Sequence, residues 1–189
     1  MKVYIRQLKK LLTSPADKSD VIKSEGKLQA LGFVDYVKNL SPDLRVMLKN
    51  HQIQNFIPWR VVWKPSSVST PCRIVLDASQ ETDTGFSLND VLAKGRNNMN
   101  RLQEIVIRWS IHAVGFHTDV QKMYNCVKLK TEHWCFQRYL WEENLDMGKT
   151  PEEKIIKTLI YGVKPSGNLA ERSIRETADL SKDEYPEVN

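Results

Sequence analysis

The spacing of apolar positions predicts that helices open this chain and that a short strand follows them. Apolar residues recur at helical spacing over residues 4–12. Asp17 or Ser19 can cap a second helix that runs to Leu31, ahead of a β-rich run at 33–37. The basic residues among these positions are predicted to form a solvated helix face rather than a nucleic-acid site.

Two β-rich runs in the middle of the chain predict an antiparallel hairpin. They cover residues 56–64 and 72–77, and a Pro/Ser/Thr-rich connection joins them. Lys64 and Arg73 bracket that connection, so both cations can lie near its tip or on one face. Arginine offers a planar fork of donors and lysine a point charge, so the pair would suit a triphosphate clamp. An ordinary exposed hairpin fits the same residues.

The second half of the chain predicts further helices and strands after a loop at 80–100. A helix at about 100–110 carries an apolar stripe whose spacing assigns it to the core. That stripe consists of Leu102, Ile105, Val106 and Trp109. The remaining predicted elements are a strand at 113–118, a strand at 134–141, a β-rich run at 155–163 and a final helix at about 168–180.

The stretch 116–124 places an acid and an aromatic side chain five positions apart, just after the predicted strand. Aspartate forms strands poorly and suits strand ends, so Asp119 would project its carboxylate where the backbone turns. Tyr124 can then return to the same side, and both side chains would face one cavity. The alternative interpretation is an ordinary strand end with an exposed Asp119 and a half-buried Tyr124.

Composition excludes several classes of protein. With 189 residues, 41% of them hydrophobic, the chain can build a core and is not a disordered segment. Its net charge of +5 would suit a phosphate-bearing partner without requiring one. The three cysteines form no CxxC pair and the four histidines show no ligand spacing, which argues against a disulfide framework or a zinc site. Without a signal-like start or a membrane-length apolar run, we expect an intracellular protein, cytoplasmic or nuclear, with no membrane partner.

Several short motifs follow one another in a specific order. They are Lys64, Arg73-Ile74-Val75-Leu76-Asp77-Ala78-Ser79, Gly85-Phe86-Ser87-Leu88-Asn89, the Asp119 to Tyr124 stretch, Arg138-Tyr139-Leu140-Trp141 and Tyr161-Gly162-Val163. Over roughly residues 25–185 this order resembles the reverse transcriptase of Bel/Pao-type LTR retrotransposons. The resemblance implies an α+β fold with antiparallel strands and packed helices, forming the fingers and incomplete palm of a right-hand polymerase. It divides the chain into a helical lead-in at 1–50, a fingers-like β-hairpin region at 51–97 and a partial palm at 98–189.

The resemblance also assigns roles around the acid of the 116–124 stretch. Asp119 matches the first metal-binding aspartate of the palm, called motif A, and is therefore the implied catalytic and metal-binding residue. Tyr124 matches the aromatic steric gate beneath the nucleotide sugar, where its ring would exclude a 2′-hydroxyl. The backbone from Val120 to Met123 would lie along the triphosphate.

The resemblance assigns further roles to residues of the hairpin and of a glycine-containing turn. Arg73 matches the fingers arginine that contacts the incoming nucleotide, and Lys64 is the implied second triphosphate ligand. Gly162 to Ser166 resembles motif B, which supports template and nucleotide. The family usually has a Ser-Pro pair where this chain has Ser166-Gly167, a departure that affects the shape of the turn.

The implied reaction is nucleotidyl transfer with Mg²⁺ or Mn²⁺. Two such ions about 4 Å apart activate the primer hydroxyl and stabilise the leaving pyrophosphate, and hard cations of this kind take oxygen ligands. The chain contains no Asp-Asp pair, hence no Tyr-x-Asp-Asp motif. We therefore expect a piece that ends before motif C and that needs the rest of a polyprotein to act on a dNTP and an RNA or DNA primer-template.

Two alternatives stay open alongside an active polymerase. The chain can be a co-opted derivative that binds nucleic acid without catalysis, or a retroelement remnant that binds protein partners and whose basic charge is incidental. Whether it is an enzyme by itself is left open by the residues. A steep loss of nucleic-acid affinity with salt would separate the first alternative from the second.

Overall fold

A computed structural model describes residues 2–13, 18–67 and 71–185 of the chain and shows a mixed α+β architecture with antiparallel sheets and packed helices. The helices are α1 (Lys2–Leu12), α2 (Lys18–Ala30), α3 (Pro42–Asn50), α4 (Leu88–Val91), α5 (Leu102–Ser110), α6 (Met123–Cys126) and α7 (Ser166–Leu180). The strands are β1 (Val34–Tyr36), β2 (Trp59–Trp63), β3 (Cys72–Leu76), β4 (Arg138–Trp141) and β5 (Glu152–Ile156). Short 3-10 helices cover Val37–Asn39 and Thr131–Phe136. None of the helices in these ranges combines the length and the apolar character that a membrane crossing needs.

The strands form two antiparallel sheets. One is three-stranded, in the order β1-β5-β4, so the last strand along the chain lies in the middle. The other is the β2–β3 hairpin, in which Val62 pairs with Arg73. The predicted antiparallel hairpin is thereby confirmed. Its linker was predicted to be turn-prone, and residues 68–70 of that linker lie outside the described residues.

Trp59 joins the hairpin to the three-stranded sheet and to the first helix. It is 1% exposed and lies on β2, with its ring 5.3 Å from that of Trp141 on β4 and 6.2 Å from that of Tyr4 on α1. Its indole nitrogen donates to the carbonyl oxygen of Leu140 at 3.0 Å. Burying a residue of this size on three elements gives them one shared core.

A buried polar cluster fixes α2 against the three-stranded sheet. Lys154 Nζ lies 2.6 Å from Glu25 Oε1 and 2.8 Å from Gln29 Oε1, and the Tyr139 hydroxyl donates to Glu25 Oε1 at 2.8 Å. The Lys154 ammonium also lies 4.1 Å from the ring centroid of Tyr36. Burial lowers the pKa of Lys154, which Glu25 opposes, and burial raises the pKa of Tyr139 well above its usual value.

The structure corrects two predictions for residues 100–120. The stripe of α5 assigned to the core lies on the surface: Leu102, Ile105, Val106 and Trp109 are 73%, 47%, 50% and 49% exposed. The strand predicted at 113–118 is absent, because a strand needs a partner for its backbone N–H and C=O groups and the described residues place none beside it. Helical periodicity located α5 itself, but it does not determine what covers the apolar face.

Other element boundaries also differ from those predicted. The strand at 134–141 is shorter, because residues up to Phe136 form a 3-10 helix and β4 begins only at Arg138. The β-rich run at 155–163 is a strand only as far as Ile156. The final helix begins two residues earlier than predicted, at Ser166. Helix propensity and strand propensity differ little over such short runs. Pairing with neighbouring strands therefore determines where each strand begins and ends.

Three helices, α3, α4 and α6, escaped the sequence analysis, although the first two carry capping signals. Ser41 caps α3, accepting a hydrogen bond from the backbone of Leu44, with Pro42 at the first helical position. The short helix α4 begins with a capping box between Ser87 and Asp90. Bonds from Ser87 lower the pKa of the Asp90 carboxyl.

Residues 99–120, which we call the apolar arm, are exposed at every position. We predict that the arm causes concentration-dependent self-association, because contiguous exposed apolar surface favours aggregation. Light scattering should show a larger mean particle size as concentration rises, and the double variant Ile107→Ser/Phe116→Ser should reduce this growth. Those two side chains are 62% and 85% exposed.

The matched control for that experiment is Val46→Ser/Ile53→Ser, because these residues are 57% and 59% exposed but lie outside the arm. It should leave the self-association almost unchanged. Equal reductions in both double variants would show that general surface hydrophobicity, and not the arm, drives the association.

Candidate functional site

The hairpin presents its two candidate phosphate ligands on one exposed face. Arg73 lies on β3 opposite Val62, and Lys64 is two residues beyond Val62. Alternate residues of an extended chain point to the same side, so Arg73, Val62 and Lys64 share a face. A hydrogen bond of 2.7 Å from the Lys64 amide to the carbonyl oxygen of Pro71 continues the pairing past the end of β2. Of the two arrangements left open by the sequence, the register therefore favours one face.

The aromatic candidate packs against the segment that leads into α7. Tyr124 lies on α6, and its ring centroid is 4.4 Å from that of Tyr161 in an edge arrangement. A Cβ atom at Gly167 would lie 3.9 Å from the Tyr124 hydroxyl, which places that hydroxyl at the start of α7. Asn125 holds α6 in place by donating to the Leu159 carbonyl oxygen at 3.3 Å.

Gly162 forms a tight turn that contacts the hairpin. Its φ of +86° favours glycine, and a Cβ there would lie 3.1 Å from the carbonyl oxygen of Leu76, the last residue of β3. The Asn89 side chain donates to the Gly162 carbonyl oxygen and accepts from the Lys164 amide, both at 2.8 Å. The strand that carries Arg73 therefore ends against the turn that resembles motif B.

Ser166 begins α7 and is 2% exposed. Its hydroxyl oxygen is buried and has no hydrogen-bond partner among the described residues. Leaving a buried hydroxyl without a hydrogen-bond partner is energetically unfavourable. The Ser166 side chain therefore lies inside the fold, at the turn before α7, and does not face solvent.

The acidic candidate lies on the surface. Asp119 is exposed at the end of the apolar arm, and the Val120 carbonyl oxygen accepts a 3.3 Å hydrogen bond from the Met123 amide to close the turn before α6. Lys122 in this turn has the unusual φ of 53°. Across residues 2–13, 18–67 and 71–185, no three His, Cys, Asp or Glu side chains come close enough to hold a metal.

The structure thus brings together Tyr124, Gly162 and Ser166, and it joins them to the end of β3. Asp119 lies exposed at the end of the apolar arm. Tyr161 and Asn89 complete the assembly, although the sequence analysis gave neither of them a role. The capping box of α4, readable as Ser87 followed three residues later by Asp90, could have located the turn that presents Asn89.

The sequence matches no model of a protein family, and no curated protein is significantly similar to it. What points toward a function is therefore the set of contacts that joins the cationic hairpin, the Tyr124–Tyr161 pair and the Gly162 turn.

Proposed function

We propose that this chain supplies the fingers and part of the palm of an RNA-directed DNA polymerase, the reverse transcriptase of a Bel/Pao-type retrotransposon. The observation that carries the proposal is the close approach of Gly162 to Leu76 O, where a Cβ would meet the oxygen at 3.1 Å. This approach joins the cationic hairpin to the turn next to Tyr124. A nucleotide-binding site of the right-hand type needs these parts on one side of the protein.

The hairpin would bind the triphosphate of an incoming dNTP. Arg73 can donate two parallel hydrogen bonds to phosphate oxygens, and Lys64 adds a second positive charge on the same face. Charge-assisted hydrogen bonds of this type favour an anionic ligand more strongly than neutral donors would. The hairpin is exposed here, so a ligand can reach both cations.

Tyr124 would select the sugar. Its ring is held against Tyr161 at 4.4 Å, and its backbone is anchored through the neighbouring Asn125. A ring held in this way occupies a defined volume and cannot easily turn away from a 2′-hydroxyl. Gly162 and Ser166 would then support the base and template strand from the adjoining turn.

The carboxylate of Asp119 is a suitable ligand for a divalent metal ion, because Mg²⁺ and Mn²⁺ prefer hard oxygen ligands. When bound, these ions would activate the primer hydroxyl and stabilise the leaving pyrophosphate. The part of this chain in the reaction is to offer one carboxylate, to hold the triphosphate through Arg73 and Lys64, and to exclude ribonucleotides through Tyr124. Further carboxylates would complete the metal site.

The outer face of the hairpin also favours a second candidate function, namely binding of nucleic acid without catalysis. Lys64 and Arg73 are part of the basic excess that gives the chain its net charge of +5. Binding to phosphates releases counterions, so affinity for a primer-template would fall steeply with salt, roughly tenfold or more between low and physiological salt. A protein-interaction role would show no such dependence.

The proposed polymerase function is tested by Arg73→Ala in a polymerase chain that contains this segment together with the other catalytic carboxylates. We predict that the KM for dNTP rises about tenfold or more, since a charge-assisted arginine contact contributes about 1.5–3 kcal/mol. Steady-state primer extension measures this effect. The control is Lys9→Ala on the exposed face of α1, which should leave the KM within about twofold. Equal losses for the two variants would remove the case for a specific clamp.

A further inference from the structure

A groove of about 550 Å³ opens beside α3, away from the hairpin and from Tyr124. Its wall is formed by α3, the 3-10 helix after β1, and the strands β4 and β5. The charged side chains that line it are Lys38, Arg45, Lys49, Arg138, Glu152 and Glu153. The volume lies within the range of small-ligand sites.

Arg138 is the fixed element of this groove. Its side chain is only 3% exposed, and its guanidinium donates to Gln54 Oε1 at 2.9 Å and to Glu153 Oε2 at 3.2 Å. The guanidinium carbon lies 4.4 Å from the ring centroid of Phe56, which supports one face of the group. Within the described part of the chain its Nε has no hydrogen-bond partner. Burial lowers the pKa of Arg138 and Glu153 opposes this, so a further anion nearby would stabilise the charged form.

Gln54 connects Arg138 to the end of α3. Its side-chain nitrogen donates to the Lys49 carbonyl oxygen at 2.7 Å, while its side-chain oxygen accepts from Arg138. The amide therefore has both ends engaged and cannot rotate freely. This bridge ties the buried arginine to the backbone at the end of α3.

The groove carries more positive than negative charge. Lys38 pairs with Glu152 at 2.6 Å, and Arg138 pairs with Glu153. Among the residues that the structure describes, neither Arg45 nor Lys49 has an ion-pair partner. These two cations are one helical turn apart on α3, where like charges repel and an anion between them would relieve the repulsion.

We propose that this groove binds a phosphate group. The excess positive charge of the groove, with the fixed guanidinium of Arg138 and the exposed Arg45 and Lys49, matches the charge of a phosphate better than that of a carboxylate. Several cations can share the charge of a phosphate, and an exposed arginine such as Arg45 can form parallel bonds to its oxygens. The group comes either from free phosphate and phosphomonoesters or from the backbone of a nucleic acid. The proposal does not depend on the polymerase assignment.

The test uses the double variant Arg45→Gln/Lys49→Gln of the full chain. Both side chains are exposed, so the fold should be preserved, which an unchanged circular-dichroism melt verifies. The two probes are inorganic phosphate, followed by NMR shifts of groove amides and of the Arg138 Nε–H, and a short labelled single-stranded DNA, followed by fluorescence anisotropy at low salt. We expect binding of at least one probe to weaken about tenfold or more in the variant.

The matched control is Lys9→Gln/Lys10→Gln, which removes the same net charge from an exposed part of α1. It should change binding of either probe by no more than about twofold. A loss for inorganic phosphate alone identifies a free phosphate or phosphomonoester as the ligand, and a loss that includes the DNA identifies the nucleic-acid backbone. Equal losses in the two double variants, or no binding of either probe at low salt, would overturn the proposal.

Discussion

Primer extension by a polymerase chain that contains this segment will fall by several powers of ten on Asp119→Ala, and the 189 residues alone will extend no primer. A single carboxylate cannot hold two divalent cations, because Mg²⁺ binds weakly without several fixed oxygens. Electrostatic stabilisation of the transferred group is usually the largest catalytic contribution, so the loss of one metal ligand is expected to cost about a thousandfold or more.

The structure adds a second reason to expect no activity from the isolated chain. Asp119 is exposed at the end of the apolar arm, and the strand predicted to hold it has not formed. A carboxylate must be held close to its productive position to bind a catalytic metal, and small displacements cost large factors in rate. In the proposed polymerase, residues outside this segment would pack against the arm and supply the missing support.

The experiment compares this chain, the longer chain, and the longer chain with Asp119→Ala, each with Mg²⁺ or Mn²⁺ on a templated primer. Asp43→Ala in the longer chain serves as the control, since Asp43 is an exposed acid on α3. It should keep nearly full activity. Extension by the short chain that disappears with Asp119→Ala would refute the prediction, whereas equal activity of the two alanine variants in the longer chain would refute the role of Asp119.

Replacing Lys154 by methionine will destabilise the folded chain by about 3–5 kcal/mol, as is typical when one partner of a buried ion pair is removed. The Lys154 and Glu25 side chains are 1% and 4% exposed, so water cannot compensate for the missing partner. Among the described residues, the Tyr139 hydroxyl would then be the remaining hydrogen-bond donor to Glu25. Urea denaturation at low protein concentration, where association of the apolar arm is minimal, measures the change.

An exposed ion pair of equal length gives the control. Lys38 Nζ and Glu152 Oε1 are also 2.6 Å apart, but their side chains are 57% and 49% exposed, so Lys38→Met should cost only about 0–1 kcal/mol. In a double-mutant cycle, Lys154→Met/Glu25→Gln should cost clearly less than the sum of the two single changes, because no buried charge then stays unpaired. Additive costs would show that the pair is not energetically coupled.

Local signals in the sequence determined the elements whose formation depends on neighbours along the chain. Two β-rich runs and a Pro/Ser/Thr-rich connection were enough to predict the hairpin, since its two strands are adjacent in sequence. The register of that pairing came from the structure, which places Arg73 and Lys64 on one face. Helical spacing likewise located α1 and α5, and capping or turn residues located α2 and α7, with boundaries shifted by a few residues.

Contacts between distant residues decided the rest of the candidate site. Tyr124 meets Tyr161, and Gly162 approaches Leu76, only because α6 and β3 converge on the same turn. No short-range pattern encodes that convergence. The sequence supplied Tyr124 and Gly162 as candidates through a resemblance in motif order, whereas their position in one assembly required the tertiary structure.

Burial was likewise determined by the fold and not by residue type. Lys154 carries a charge yet is 1% exposed, because Glu25, 129 residues away in sequence, provides its ion-pair partner. Leu102 and Trp109 are apolar yet 73% and 49% exposed, because the described residues bring no surface against α5. A sequence determines the polarity of each side chain. Whether that side chain is buried or exposed to solvent depends on which distant elements pack against it.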